Sequence, residues 1–382
     1  MDFAAACAPA ARRARDWMFD VAAPLWTSVG FDADGYVERI GLDGRAMDMP
    51  RRGIVQFRQI YSVCELGRLG WDGPWAEQAE AALANVRVRL RTADGAYRFS
   101  YRSGGAAGDD RIDLYTQAFA LFGLANAYGM LGRPAALKAE ALELLAWLRA
   151  NRAHPDAGFE EASPRSLPLK SNPHMHLFEA ALAWMEADDA PEWRALASGI
   201  AELCARRFLH PEIGALREYF DGDWAPVEGA QGRITEPGHQ FEWAWLMWRW
   251  ADLSGSNPAP WRTRAERLVA HGETHGICAV RGAPVAEVDV DGAVIETYAR
   301  LWPSTERLKA AVAQSRVADG PDVQARADAS VAALFAFFET PVPGLWRDRW
   351  LADGSFVQEG APASSFYHIV CGFSELIRRA GP

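Results

Sequence analysis

Cysteine is scarce and scattered in this sequence. The five thiols (Cys7, Cys64, Cys204, Cys278 and Cys371) are odd in number and form no Cys-x-x-Cys pair. Neither a disulfide frame nor a zinc ribbon is expected; the thiols read as reduced and mostly buried. Long apolar runs are also missing. No stretch reaches the roughly 18 uninterrupted apolar residues of a membrane span. Residues Met1 to Pro24 carry Arg12, Arg13 and Arg15 with no apolar core behind them, which reads as a helix rather than a secretory leader, so a cytoplasmic location is expected. There is no block of basic charge: 40 Lys and Arg face 50 Asp and Glu, for a net charge of −10. That excludes a surface tracking a phosphate backbone, so nucleic acid is not an expected partner, although one or two local arginines suffice for a small phosphate. A Walker loop, a dinucleotide-binding glycine fingerprint and a His-Glu-x-x-His motif are all absent. No cofactor and no catalytic metal are expected, although His239 with Glu242 and His176 with Glu179 have a spacing that can chelate.

Tryptophan, in contrast, is plentiful at 16 copies, in a chain that is 49% hydrophobic. Core packing accounts for most of them, and a few beside polar motifs are candidates to line a site. The organising pattern is a repeat in punctuation. Pro173, Pro237, Pro303 and Pro362 each precede a helical apolar run, about 60 residues apart. Two earlier helices, beginning near Arg58 and Asp113, extend the series to six. A second series interleaves with it. Gly95, Gly158, Gly214, Gly276 and Gly344 each read as a turn leading into a short strand or hairpin after an amphipathic helix such as Pro191–Leu209. The first helix of each pair is apolar nearly all round, as in Phe241–Trp250, and should be buried. Six buried helices inside six amphipathic ones, the first of these at Pro9–Ala23, make an all-α (α/α)6 barrel with short β-hairpins in its long loops. Residues 1–382 then form a single domain. A solenoid would need polar caps, and none is evident.

Polar residues out of keeping with apolar helices cluster at one end of these runs: Arg58, Tyr115 and Gln117, Asn172 and His176, His239 and Glu242, Trp302 and Glu306, and His368. In a closed barrel those ends meet at one mouth, walled by loops long enough to be functional. His239 and Glu242 share a helix face. That suits an acid/base histidine oriented by a carboxylate, and equally a buried hydrogen bond made for stability. His174 and His176 lie on opposite faces, and His176, which shares the face of Asn172, is the cavity candidate. Arg58 suits a developing oxyanion or a salt bridge at the mouth.

Asn-Pro-His-Met-His at 172–176, Glu-Pro-Gly-His-Gln-Phe-Glu at 236–242 and Arg-Leu-Trp-Pro-Ser-Thr-Glu at 300–306 resemble the N-acylglucosamine 2-epimerase superfamily, in the family's order, from Arg58 to His368. The resemblance implies the (α/α)6 barrel and a cytoplasmic enzyme, monomer or homodimer, whose partner is a monosaccharide. It also implies that His239 and His368 are acid/base residues, with Glu242 as the partner of His239. Arg58 and His176 become substrate-binding residues, while Tyr115, Gln117, Asn172, Trp302 and Glu306 are sugar contacts by their position at the mouth. The expected reaction is aldose–ketose isomerisation through a cis-enediolate, mannose to fructose first. Mannose 6-phosphate, with Arg165, Lys170 and Arg233 as phosphate candidates, and 2-epimerisation are the alternatives.

Overall fold

The computed structural model describes residues 2–381. Its long helical segments alternate between two concentric rings. The inner ring, numbered inner helices 1 to 6, is Gly53–Arg68, Leu114–Met130, Ser171–Ala187, Pro237–Leu253, Leu301–Gln314 and Ser364–Ala380. The outer ring is Trp75–Arg89, Ala135–Asn151, Pro191–Leu203, Ala259–His275 and Pro321–Phe337. It is completed by the N-terminal segment, which runs from Phe3–Asp16 through a π-helical turn, Trp17–Ala22, into Ala23–Ser28.

The two rings follow from two kinds of side-chain pattern. Outer helix Pro191–Leu203 buries Trp193, Leu196, Ile200 and Leu203 on one stripe. Inner helix 2 has no polar stripe and is buried almost throughout its length. Closure comes from the ends of the chain. Inner helix 6 packs on both inner helix 5 and inner helix 1, and the N-terminal helix packs on inner helix 6. A two-residue strand, Ala361–Pro362, pairs antiparallel with Arg39–Ile40, stitching the last unit to the first. The molecule is an (α/α)6 barrel and not an open solenoid. All five cysteines are unpaired, four of them buried. No helix among the described residues is long and apolar enough to cross a membrane.

The punctuation holds with two shifts. Pro237 opens inner helix 4, and Pro173 and Pro303 sit in first turns, but Pro362 lies in the strand before inner helix 6. Inner helix 1 begins at Gly53, so Arg58 is in its second turn. Gly95, Gly158, Gly214 and Gly344 all have positive φ, as turns require. Gly276 does not. It caps an outer helix with φ −99°, and a Cβ there would meet Pro237 at 2.5 Å. The turn of that unit is made by Gly282, φ 65°, inside the bridge between Ile277 and Pro284.

One device recurs between the rings. The carboxamide of Gln56 accepts from the Tyr36 amide at 2.9 Å and donates to the Tyr36 carbonyl at 2.8 Å. Gln117 clasps Tyr97 in the same way, at 2.8 Å in both directions, and Gln240 clasps Leu216 at 2.9 and 3.0 Å. In the third unit His174 takes over. Its Nε2 accepts from the Phe159 amide at 3.0 Å while Nδ1–H donates to the Lys170 carbonyl. Each clasp satisfies backbone groups of a residue in a short strand or β-bridge, on the edge turned to the inner helix. Gln117 is therefore a scaffold residue and no sugar contact, and His174 is the packing residue its helix face implies.

Candidate active site

The N-terminal ends of all six inner helices point at one opening. Each end carries the positive end of a helix dipole, so the opening favours negative charge. Beneath it lies a cavity of about 260 Å³. Its wall holds His176, His239 and His368 together with Arg58, Tyr115, Asn172, Glu242 and Trp302. Residues spread along most of the chain thus converge as the motifs imply. Glu306 does not reach the cavity.

The three histidines are each held by a carboxylate at Nδ1, which leaves Nε2 for the cavity. His239 lies 3.0 Å from Glu218 Oε2, with Glu236 at 3.8 Å. Ser171 Oγ–H donates to the same Glu218 oxygen at 2.9 Å and fixes it. Burial opposes charge on His239, but Glu218 and Glu236 outweigh it and lift its pKa to about 10. His368 stands 2.8 Å from Glu306 Oε1. Burial, then the nearby charges of Arg58 and Lys309, hold its pKa well below the usual histidine range. His176 lies 3.0 Å from Glu179 Oε2, and burial lowers its pKa to about 4. One imidazole is therefore a cation at neutral pH and two are neutral.

One expected pairing is corrected. Glu242 is not the partner of His239; Glu218, on the loop before inner helix 4, is. The two side chains share a helix face, but Glu242 turns toward the barrel axis, where Lys309 Nζ is 3.9 Å away, while the Nδ1 edge of His239 turns to the loop wall. Both Glu242 oxygens are buried without a hydrogen-bond partner among the described residues. Burial, then the neighbouring Glu306, push its pKa well above the carboxylate range. Glu306 lies beside His368 and pairs with Lys309 at 2.5 Å, outside the cavity lining. Glu218 is legible only as the polar residue four places after the turn Gly214. No spacing rule ties it to His239.

Arg58 has none of the salt bridges that its position at the mouth suggested. Its guanidinium donates to Tyr115 Oη at 2.9 Å and to the Ser364 carbonyl at 3.2 Å, lies 4.2 Å over the Phe119 ring, and keeps a buried Nε–H free. Asn172 likewise offers an unpartnered Oδ1. The Trp302 indole lies between the two outer histidines, with ring centroids 5.1 Å from His239 and 5.5 Å from His368. The two imidazoles thus flank one indole in the cavity wall. Three clusters bring metal-ligand atoms within 4.8 Å of one another: His176–Glu179–Glu242, Glu218–Glu236–His239 and Glu242–Glu306–His368. Each contains one of the His–Glu hydrogen bonds just described, which accounts for its closest contact.

Below the cavity the barrel is plugged. Tyr367 Oη–H donates to Glu179 at 2.5 and 2.6 Å, and the Lys309 ammonium sits 3.8 Å over the Trp245 ring. All three polar groups are fully buried. A second cavity, about 240 Å³, opens at the far ends of the inner helices beyond this layer.

Comparison with known proteins agrees with this architecture. Mannose-6-phosphate isomerase of Rhizobium meliloti (strain 1021) is 46% identical over 368 residues, covering 94% of this chain and 95% of the relative. D-mannose isomerase of Thermobifida fusca is 26% identical over 295 residues, 71% of this chain and 70% of that one. The structure of cellobiose 2-epimerase from Bacillus thermoamylovorans B4167 superposes with a TM-score of 0.87 at 16% identity, over 97% of this chain and 99% of that one. The protein is an enzyme of the sugar isomerase and epimerase class. The sequence model for N-acylglucosamine 2-epimerase (GlcNAc 2-epimerase) matches residues 35–372, and the chain belongs to that family.

Proposed function

We propose that the protein interconverts an aldose and its 2-ketose, with mannose 6-phosphate and fructose 6-phosphate as the pair. The observation that carries this reading is a pair of carboxylate-held imidazoles flanking one indole, with their pKa values displaced in opposite directions. His368, neutral and with Nδ1–H donated to Glu306, presents a basic Nε2. His239, cationic, presents an acidic Nε2–H. His239 opens the pyranose, giving its proton to the ring oxygen and taking one back from O1, so both imidazoles leave ring opening in their starting states. His368 then removes the C2 proton while His239 protonates the carbonyl oxygen O1. His239 recovers a proton from O2, and His368 returns its proton to C1. Atoms and charge balance without a further reactant. Arg58 and neutral His176 stabilise the oxygens of the cis-enediolate, and the helix N-termini around the mouth add to that field.

The sequence put unphosphorylated mannose first. The near-full-length relative at 46% identity moves the phosphorylated sugar ahead. The phosphate candidates also change. Arg165 is committed to Glu160 and Arg233 to Asp289 and Asp291, and neither they nor Lys170 line the cavity. Arg52 and Arg300 do line it, at the rim on either side of Ser364 and Ser365, each paired with a single carboxylate, Glu38 or Asp348. Returning the proton to the opposite face of C2 would give a 2-epimer from the same residues.

Steady-state rates with mannose, mannose 6-phosphate and N-acetylmannosamine test the proposal. The expected result is a ketose, the highest kcat/KM for mannose 6-phosphate, and solvent deuterium in the product. His239→Ala and His368→Ala should each lose about 10²–10⁴-fold in kcat. An aldose 2-epimer as sole product would replace isomerisation by epimerisation, and full activity in either variant would remove that histidine from the reaction.

A further inference from the structure

Away from the mouth, the outer wall carries a groove of about 360 Å³. It lies between the π-helical turn Cys204–Phe208, the hairpin after it, and outer helix Ala259–His275. Arg206, Arg207, Arg217, Arg264 and Arg267 line it together with His210. No carboxylate is among its lining residues, in a chain whose net charge is −10.

These guanidiniums are poorly neutralised. Arg207 has one carboxylate, Asp156 at 3.2 Å, and both partners are about half exposed. Arg264 donates to the Pro260 carbonyl at 2.9 Å and Arg267 to the Glu212 carbonyl, contacts that fix geometry without cancelling charge. Arg206 and Arg217 make no ion pair among the described residues, and Arg217 Nε is buried with no hydrogen-bond partner. Some outer-helix arginines are matched by a carboxylate, as Arg87 is by Glu140 and Arg262 by Asp252. Five like charges around one concavity repel one another and raise a local positive potential that an anion would relieve.

We propose that this groove is a binding site for a small polyanion of the oligophosphate class, held by several guanidinium forks at once. A groove this size suits a compact ligand; a nucleic-acid backbone needs an extended basic track, which the chain lacks. The site is separate from the sugar cavity and does not rest on the reaction proposed above. The two share one extended segment, on which Arg217 serves the groove while Glu218 serves His239. Successive side chains on such a segment point to opposite faces.

Calorimetric titration of the full chain with inorganic tripolyphosphate, near 0.1 M ionic strength, tests this. The expected result is saturable one-to-one binding that weakens at least tenfold in Arg217→Gln and in the double variant Arg206→Gln/Arg264→Gln. Arg52→Gln, at the sugar cavity, should bind as the unaltered protein does. Arg206 is exposed, so that substitution leaves the fold intact, and thermal unfolding of each variant checks it. The proposal falls if no saturable heat appears, if the groove variants bind unchanged, or if Arg52→Gln alone abolishes binding.

Discussion

His239 shows how one carboxylate can set a residue's chemistry. Its pKa of about 10 in the folded protein compares with roughly 6.5 for an unperturbed histidine. Because the folded value is raised, the imidazolium contributes its stability fully below about pH 6.5 and loses it as pH climbs through about 10. If His239 acts as the acid, the alkaline limb of kcat/KM should lie near that upper value. Glu218→Gln removes the main charge holding the proton, so the limb should move toward neutral pH, and activity at pH 8–9 should fall more than at pH 6.5. A pH profile that does not move in Glu218→Gln would dissociate the limb from His239. On the acid side, His368 takes up a proton only well below the ordinary histidine range, so activity should persist into mildly acidic buffer.

At the scale of elements, the glutamine clasps join the barrel to its loops. Gln240→Leu would leave the buried amide and carbonyl of Leu216 unpaired, at a cost of about 1–3 kcal/mol for each orphaned group. Leu216 lies two residues before Glu218, so that variant should lower both Tm and kcat. Gln56→Leu, which frees Tyr36 in a loop distant from any histidine's partner, should lower Tm by a similar amount and leave the alkaline limb in place. Equal pH profiles for the two variants would argue against the coupling. These clasps also show what the sequence made legible. Prolines, turn glycines and all-apolar helices report local backbone and burial needs, so the two rings and the mouth can be read from them. Clasps and the Glu218–His239 pair depend on which way side chains turn once helices and loops meet, and neither spacing nor composition carries that. Glu242 illustrates the limit: it has the correct helix face and a different neighbour. Gln117 illustrates it as well, a polar residue near the mouth whose amide is spent on a loop.

For the whole molecule, what matters is that the ring closes. Trp26, on the short helix Ala23–Ser28 of the N-terminal segment, donates its indole N–H to the Gly344 carbonyl at 3.0 Å, stacks on Trp346 at 4.6 Å and lies 5.8 Å from Phe366 of inner helix 6. It belongs to the seam between the chain's beginning and its last unit. Trp26→Ala should cost about 3–5 kcal/mol and lower the temperature of a single cooperative transition reported alike by far-ultraviolet dichroism and tryptophan fluorescence. Loss of one terminal unit, with the rest intact, is what an open array would show instead. Closure also gives the plug formed by Glu179, Tyr367 and Lys309 a meaning for traffic. The bore is a well with a floor, not a tunnel. Whatever sugar enters must leave through the doorway it came in by, and a product that lingers there keeps the next substrate waiting outside.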